Sequence, residues 1–324
     1  MAPIDSLNLA AANRSPRVDI CLLNYKTYDL TAACLRSIRE LDYPNFGVVV
    51  VDNGSGDGSG QRLKQAFPEI RLIESEKNLG FSGGMNLAMH AAVAEGAEHV
   101  WLLNTDTIVD RNALAALVAK ALSHQRIGIV GSLVHEMDQP GVIQSCGGKV
   151  NWFLLRPMNI NQLAEMPRLE YISCCSALVK KQVLLDVGLL DEQFFFYADD
   201  IDWSYRMRRA GWELVTAEDS IVYHLEKASA GRGAWSELEL TKAMNVLAAK
   251  YSWIWPLSVG FRTAAMCVNR LRRGQADRVL PLIRAIGAAF TAQQQAIYRP
   301  LDVSSAASPA NAAATIEPSS TAAT

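Results

Sequence analysis

The chain has 324 residues, 31 basic and 33 acidic side chains, a formal net charge of −2, and a hydrophobic share of 50%. That hydrophobic share supplies a substantial core, and the length suits one large domain or two modest ones. A charge this close to neutral lacks the basic footprint of nucleic-acid-binding proteins, so we expect no nucleic-acid partner.

The cysteines and the termini bear on location. The six cysteines lie mostly in apolar runs without a CxxC pair, which predicts reduced thiols in a cytoplasmic protein. Residues 1–16 lack a basic start and a long apolar run, so they are predicted to be an N-terminal tail and not a signal peptide. The late stretch WIWPLSVGFRTAAMCV is interrupted by Pro256 and Arg262 and falls short of the roughly 20 apolar residues of a spanning helix.

From residue 17 to about 135, short apolar runs alternate with helical patterns. The predicted strands are VDICLLN, FGVVVVD, IRLIES, HVWLLN and IGIVGSLV. The predicted helices are LTAACLRSIREL, MNLAMHAAVAEG and RNALAALVAKAL, with Asp110 capping the last of them. Continuous apolar strands between helices indicate an α/β fold with a parallel sheet covered on both faces.

The second half is more varied. Residues 140–175 predict loops or a short hairpin, followed by a strand in YISCCSALV, helices in KKQVLLDVG and DIDWSYRMRRAG, and one or two strands in WELVTAEDSIVYH. Only helical patterns follow residue 232, which predicts a C-terminal helical segment over 233–301. The low-complexity residues 302–324 are predicted to be a disordered tail.

Polar residues stand at the ends of several predicted strands, where ligands of open α/β sheets bind. Ordinary turn chemistry explains Asn53 and the glycines that follow it, but it explains Asp52 and Asp106 less well, because each is among the first polar residues after a buried run. Asp106 is a carboxylate suited to Mg²⁺ or Mn²⁺ together with substrate phosphates and waters, and the alternative is a helix-capping loop.

The stretch NLGFSGGMN places Gly80, Gly83 and Gly84 just before a predicted helix. Glycines there allow the backbone to approach a phosphate or a sugar, although a tight loop explains them about equally well. The stretch fits neither GxGxxG nor the P-loop pattern, so neither a dinucleotide fold nor a P-loop is predicted.

The stretch FFFYADDIDWSYRMRRAGW carries three acids among aromatic residues. Asp202 can pair with Arg206 at i,i+4, which favours a structural role. A helix cap explains one of Asp199 and Asp200 but not both, and two adjacent carboxylates raise each other's pKa, as suits a general base. His224 ends the last strand and is either structural or a ligand of the same metal or phosphate.

These pieces, in this order, resemble the family 2 glycosyltransferases of the GT-A fold, and more narrowly their rhamnosyltransferase-type members that build bacterial surface polysaccharides. The matching pieces are LNYKTYDLTAACLRSI, VVVVDNGSGDGS, NLGFSGGMN, WLLNTDTIVD, VGLLDEQFFFYADDIDWSYRMRRAGW and VYH. The resemblance implies a Rossmann-like, mostly parallel sheet flanked by helices over 17–232, the glycosyltransferase domain, with a C-terminal helical extension.

The resemblance also implies roles for particular residues. Asp200 would be the base that deprotonates the acceptor hydroxyl, with Asp199 beside it, and Asp106 and His224 would hold a divalent metal, Mg²⁺ or Mn²⁺, on the donor diphosphate. Asp52 would accept from the nucleobase N3–H that uracil and thymine share. The implied donor-binding residues are Asn24, Tyr25, Asp52, Asn53, Gly80, Phe81, Gly83, Asn86 and Asn104.

Three features depart from the family pattern. Asn104 stands where a DxD motif has its first aspartate, and Asp199 stands where glutamate is usual. No QxxRW motif follows, which predicts a non-processive enzyme.

The implied reaction is inverting transfer of a sugar to a glycan or lipid-linked acceptor. The first choice of donor is dTDP-L-rhamnose, which would supply L-rhamnose. The alternatives are a sugar-phosphate nucleotidyltransferase and an inactive sugar-nucleotide-binding module.

The segment 250–301 carries eight basic residues and a single acidic one, Asp277, and begins with Tyr251, Trp253 and Trp255. Basic helices headed by aromatic residues suit docking on an anionic membrane, here the inner face of the cell membrane. Packing on the catalytic core or an oligomer contact explains the segment equally well, so the sequence leaves these alternatives open.

Overall fold

The structure is a computed structural model that describes residues 15–225 and 233–292 and the single residues 294, 297, 298 and 301. Residues 1–14 of the predicted N-terminal tail, the end of the predicted glycosyltransferase domain at 226–232 and the predicted tail at 302–324 lie outside the described residues.

Strands and helices alternate in the first half of the described chain, as the sequence predicts. Its strands are β1 (Val18–Asn24), β2 (Phe46–Asp52), β3 (Arg71–Glu74), β4 (His99–Leu103), β5 (Thr107–Val109), β6 (Ile127–Glu136), β7 (Ile143–Ser145), β8 (Gly148–Asn151), β9 (Arg156–Asn159), β10 (Ser176–Lys180) and β11 (Glu213–His224). Its α-helices are α1 (Tyr28–Arg39), α2 (Ser59–Ala66), α3 (Gly80–Ala94), α4 (Ala113–Leu122), α5 (Lys181–Val187), α6 (Asp199–Arg209), α7 (Ala234–Tyr251), α8 (Trp255–Arg272), α9 (Val279–Arg284) and α10 (Gly287–Phe290).

The large sheet has the strand order β3-β2-β1-β4-β10-β6-β11-β5, with β7 paired to β6. The strands β3, β2, β1 and β4 are parallel, as are β6 and β11, whereas β10 runs antiparallel between β4 and β6, and β5 runs antiparallel to β11. The sheet is therefore mixed, a refinement of the mostly parallel α/β sheet that the apolar strands predicted.

Both faces of the sheet are covered, as expected for strands without polar alternation. In β1, Ile20 packs with α1 and α4 on one face, whereas Cys21 packs with α3 and α6 on the other. The strands end together at one edge, because β1 and β2 pair in register from Val18 with Phe46 to Asn24 with Asp52. That edge is where the candidate site lies.

Several local predictions need correction. Gly80, Gly83 and Gly84 form the first turns of α3 and not a loop before it. A Cβ on Gly84 would lie 2.4 Å from a methyl carbon of Leu23, so glycine permits the close contact between α3 and β1. Asp110 does not occupy the cap of α4, which begins at Ala113 after Asn112; its carboxylate accepts a hydrogen bond from the Asn112 N–H at 2.9 Å.

The strand predicted in YISCCSALV is shorter than expected, because only Ser176–Lys180 joins the sheet. The residues before it leave the sheet to contact the candidate site. The hairpin expected in 140–175 is confirmed as the two-stranded sheet of β8 and β9.

The C-terminal helices pack against the loop and helix that carry the acidic stretch. Phe194, Ala198 and Ile201 share a buried cluster with residues of α7 and α8, including Met244 and Val259. The Lys250 side chain, which the sequence counts among the basic residues of a docking segment, is fully buried between Asp191 and Asp202. Packing on the core therefore accounts for the inner side of this segment.

Candidate active site

The first part of the site is a buried hydrogen-bond network at the ends of β1 and β2. The Asn24 amide donates to Asp52 Oδ1 at 2.9 Å and to Ser59 Oγ at 2.8 Å, and the Ser55 hydroxyl donates to the same Asp52 oxygen. Asn24 and Asp52 are buried, whereas Tyr25 next to them is 41% exposed. The network fixes the orientation of Asp52, and Ser55 and Ser59 are members that the sequence did not single out because they read as ordinary turn residues.

Asn53 connects this network to α3. Its amide donates to the Gly80 carbonyl at 3.0 Å, and its Oδ1 accepts from the Leu79 N–H at 3.0 Å. The side chain thus holds the start of α3 against the end of β2. Its predicted contact with a donor stays a prediction.

The start of α3 in turn holds the loop before the acidic helix. Gly80 has φ +74°, and a Cβ there would lie 2.4 Å from the Phe195 carbonyl oxygen. The Phe81 N–H donates to that oxygen at 2.7 Å, and the Asn86 amide donates to the Leu190 carbonyl at 3.0 Å. These residues position the 190–197 loop, and a direct role in donor binding for Gly80, Phe81, Gly83 and Asn86 stays a prediction.

Asp106 and His224 come together, as the sequence predicted. Pairing of β5 with β11 sets His224 opposite Thr107, and His224 Nε2 lies 3.3 Å from Asp106 Oδ1. The other ring nitrogen, Nδ1, lies 2.8 Å from Gln144 Oε1. Gln144 therefore contacts the ring of His224 through Nδ1, and Nε2 faces the Asp106 carboxylate. Gln144 lies in an irregular stretch with no motif, and no sequence signal marked it.

This pair has the donor set for a divalent cation. Asp106 and the ring of His224 are largely buried, and a carboxylate oxygen beside an imidazole nitrogen suits Mn²⁺ more than Mg²⁺. The described residues contain no group of three or more His, Cys, Asp or Glu side chains that could hold a metal ion. A metal held here would therefore take its remaining ligands from the substrate and from water.

The acidic stretch forms the start of α6 in an unusual backbone conformation. Tyr197 and Ala198, the two residues before the helix, have φ of +71° and +62°. Such values are uncommon outside glycine and cluster at functional sites. Ala198 occupies the cap, so neither Asp199 nor Asp200 is the capping residue that the sequence allowed for, and both lie in the first turn.

Both carboxylates have raised pKa values. Burial raises the pKa of Asp199 well above its ordinary value, and the charge of Asp200 raises it further. Burial also raises the pKa of Asp200, to about 6, against hydrogen bonds from Ile201, Cys174 and Ser173 that lower it. Asp200 is the less buried of the two. A carboxylate of this kind is ionised at neutral pH and is a stronger base than an ordinary aspartate.

The segment 173–175 links the two groups of acids. The Cys175 carbonyl accepts from the Asn104 N–H at 3.0 Å, which joins it to the Asp106 loop. Ser173 and Cys174 hydrogen-bond to Asp200. The pKa of the Cys175 thiol is raised mainly by burial and further by the charges of both Asp106 and Asp200. Asp106 and Asp200 therefore lie near the same residue, on one side of the fold.

The structural role predicted for Asp202 is confirmed. Arg206 Nε lies 2.8 Å from its Oδ2, and Lys250 Nζ and the Tyr251 hydroxyl lie 2.7 and 2.6 Å from its Oδ1. Both oxygens of this carboxylate therefore have cationic or hydroxyl partners within the protein. Asp199 and Asp200 lack such ion pairs among the described residues.

Solved structures with the same fold place the chain in a class. A mannosyltransferase from Pyrobaculum calidifontis in complex with GDP-Man and Mn²⁺ is similar with a TM-score of 0.56 and 21% identity, covering 87% of this chain and 77% of that one. S. aureus TarS 1–349 in complex with UDP is similar with a TM-score of 0.56 and 15% identity, covering 85% of this chain and 80% of that one. The fold is that of the GT-A glycosyltransferases.

The sequence comparisons narrow the class to a family. The chain belongs to the glycosyltransferase-like family 2, whose model matches residues 16–241. It is 27% identical over 265 residues to the N-acetylglucosaminyl-diphospho-decaprenol L-rhamnosyltransferase of Mycobacterium tuberculosis, covering 70% of this chain and 85% of that protein. It is 28% identical over 185 residues to galactofuranosyltransferase GlfT1 of the same species, covering 56% of this chain and 60% of that protein. The protein is therefore a glycosyltransferase, as predicted.

Proposed function

We propose that this glycosyltransferase is inverting and non-processive, and that it transfers a hexose from a nucleoside diphosphate sugar to a hydroxyl of a glycan or lipid-linked acceptor. The observation that carries the proposal is the arrangement at the sheet edge: the Asp106–His224 pair and the Asp200 carboxylate lie on one side of the fold, both next to segment 173–175. L-rhamnose from dTDP-L-rhamnose, in bacterial surface polysaccharide synthesis, is the first candidate, supported by the similarity to a rhamnosyltransferase.

The proposed chemistry assigns one task to each group. The Asp200 carboxylate takes the proton of the acceptor hydroxyl while that oxygen forms a bond to the anomeric carbon, and the bond from that carbon to the diphosphate oxygen breaks. A single displacement inverts the configuration at the anomeric carbon. Asp106 and His224 would hold a divalent cation, which supplies positive charge to the departing diphosphate.

The donor side rests on the Asp52 network. Asn24 and Ser55 hold the Asp52 carboxylate in place, and a carboxylate oxygen accepts from the N3–H that uracil and thymine share. Tyr25, exposed beside it, is the aromatic surface available to a base. Binding of both UDP and dTDP is compatible with this contact.

The proposal is tested with Asp200→Asn, which keeps the size of the side chain and removes the base. We expect donor affinity within about twofold of wild type and turnover lower by about 10²–10⁴-fold. Asp138→Asn, at an exposed position, is the matched control and should turn over normally. Donor binding is measured by calorimetry and turnover by release of nucleoside diphosphate, from a panel of dTDP and UDP sugars with Mn²⁺.

Three outcomes would contradict the proposal or a part of it. Normal turnover by Asp200→Asn would remove Asp200 as the base. If donor binding is the same with and without EDTA, both in wild type and in Asp106→Ala, the assignment of a metal site to Asp106 and His224 is wrong. A wild-type protein that binds a donor and never releases diphosphate, with water or any acceptor, would favour the inactive binding module.

A further inference from the structure

The outer face of the C-terminal helices carries a continuous apolar stripe. On α8, the exposed apolar residues recur with spacings of four and three, which places them on one side of a helix. Leu257 is 70% exposed and Phe261 52%, and the stripe continues along the helix. Its members are Leu257, Phe261, Ala264, Val268 and Leu271.

The opposite face of α8 packs on the protein. Ser258, Val259 and Thr263 are buried, and Arg270 pairs with Glu237 on α7, its Nε lying 3.0 Å from the Glu237 Oε1. The stripe is therefore not the side that attaches α8 to the molecule. A helix that attaches by one face and shows a second apolar face to solvent has surface for a partner.

A second element extends the same surface. The turn between β8 and β9 exposes Phe153 (51%) and Leu154, and the Phe153 ring lies 5.4 Å from the Phe261 ring. Trp253, just before α8, is 92% exposed. We call the stripe of α8 together with Trp253 and the turn residues Phe153 and Leu154 the apolar face.

Cations border the apolar face. Arg272 and Arg273 stand at the C-terminal end of α8, and Arg284 ends α9; all three are exposed. The whole chain has a net charge of −2, whereas the segment 250–301 that contains these arginines carries eight basic residues and one acidic residue. Apolar side chains flanked by arginine, with an exposed tryptophan, are the pattern of helices that lie in the interface of an anionic bilayer.

We propose that the apolar face docks on the surface of an anionic lipid bilayer, with Leu257, Phe261 and the turn residues among the acyl chains and the arginines on the headgroups. The charges favour a bilayer over a second copy of this chain. Anionic lipid headgroups would complement the arginines, whereas the same face of a second copy would present arginines again.

Docking would place α6, the helix that carries the proposed base, near the bilayer. Trp152, beside the turn residue Phe153, contacts the Tyr205 ring at 5.9 Å, and Tyr205 lies on α6, the helix that begins with Asp199 and Asp200. A single layer of side chains thus separates the apolar face from the helix of the proposed base. The arrangement suits an acceptor whose hydroxyl is presented at a membrane surface, although docking itself does not depend on the proposed function.

The test is co-sedimentation of the full-length protein with vesicles of phosphatidylcholine alone or enriched in phosphatidylglycerol. We expect binding to the phosphatidylglycerol vesicles and little to the others. Leu257→Ser/Phe261→Ser and Arg272→Glu/Arg273→Glu should each weaken binding by at least about tenfold. The matched controls are Leu122→Ser/Leu185→Ser, exposed leucines of α4 and α5, and Arg208→Glu/Arg209→Glu, an exposed arginine pair at the end of α6.

Release of the nucleoside diphosphate from the donor, measured in vesicle-free buffer, distinguishes a failure of the docking proposal from a failure of the proposed function. The docking variants should match wild type there, which also shows that they are folded, whereas Asp200→Asn should lose turnover and keep vesicle binding. Equal binding to both kinds of vesicle, or no binding to either, would overturn the proposal. So would a concentration-dependent dimer that Leu257→Ser/Phe261→Ser dissolves while vesicle binding stays absent.

Discussion

Asp199 is a buried carboxylate, and no cation among the residues that the structure describes pairs with it. Its pKa is raised by burial and by the charges of Asp200 and Asp202, so the folded protein binds its proton more tightly than the unfolded chain does. The contribution of this group to the free energy of unfolding is therefore largest at low pH, and it is lost as the pH rises through the folded-state pKa. Active sites commonly keep groups that lower stability, and the burial of Asp199 beside Asp200 is consistent with the role proposed for Asp200.

Asp199→Asn should therefore stabilise the protein, and more so as the pH rises. Asparagine has the same shape and does not ionise, so the variant avoids the burial of a charge. We expect a higher unfolding midpoint than wild type at about pH 8 and a smaller difference at about pH 5. The measurement is thermal unfolding at both pH values, with Asp138→Asn as an exposed control. A difference that grows towards acid pH would show that the Asp199 pKa is not raised.

At the scale of elements, α3 shows how one helix serves two neighbours. Gly84 lets the helix lie against β1, and the Gly80 turn lies against the Phe195 carbonyl in the loop before α6. Asn53 and Asn86 add hydrogen bonds on either side of this contact. The glycine-rich start of α3 thus contacts both the end of the sheet and the loop before α6, and it fixes the distance between them.

Gly80→Ala should be costly for two separate reasons. Alanine at φ +74° is strained, and its Cβ would lie 2.4 Å from a backbone oxygen that cannot easily move. We expect a loss of about 2–4 kcal/mol in the free energy of unfolding. Gly96→Ala, just past the end of the same helix, has φ +92° and no atom within 4 Å of its Cβ, so it should cost only about 1 kcal/mol.

Urea unfolding of the two variants separates strain from crowding. If both substitutions cost the same, the contact between Gly80 and Phe195 contributes nothing, and the account of α3 as the support of the 190–197 loop is wrong.

At the scale of the whole molecule, a buried ionic network joins the C-terminal helices to α6, the helix that begins with Asp199 and Asp200. Lys250 of α7 lies between Asp191 and Asp202, and Asp202 also accepts from Arg206 and Tyr251. The network reaches from the loop before α6, through α6, to the last turn of α7. The helical segment is thus attached to the acidic helix by charge as well as by apolar packing.

Lys250→Met should destabilise the protein by about 3–5 kcal/mol, because it leaves the buried carboxylate of Asp191 without its cation and Asp202 with Arg206 alone. Lys242→Met is the matched control on the same helix. Lys242 pairs with Glu239 at a side chain that is 44% exposed, so its loss should cost no more than about 0.5 kcal/mol. Urea unfolding measures both, and a small effect at Lys250 would mean that the network does not hold the segment in place.

The helices of the chain also bear on whether it could span a membrane. In the part of the chain that the structure describes, no helix combines the length and the apolar character needed to span a bilayer. The docking that we propose for the apolar face requires contact with a bilayer surface only. The boundary predicted near residue 232, between the glycosyltransferase domain and the helical segment, stays a prediction.

The sequence by itself determined most strands of the first half of the chain, the order of the motifs and the sheet edge where they meet. Periodicity and burial are local properties, so VDICLLN and FGVVVVD were identified correctly, and the polar residues after them were expected at one edge. It also predicted that Asp106 and His224 would come together and that Asp202 would pair with Arg206.

The tertiary structure alone decided what each of these residues touches. The antiparallel insertion of β10, the contact of Gly80 with Phe195, the Gln144 partner of His224 and the burial of Lys250 all join residues distant in the chain, and no local pattern encodes them. The apolar face also depends on the fold, because only the packing of α8 decides which side of this helix is buried and which is exposed.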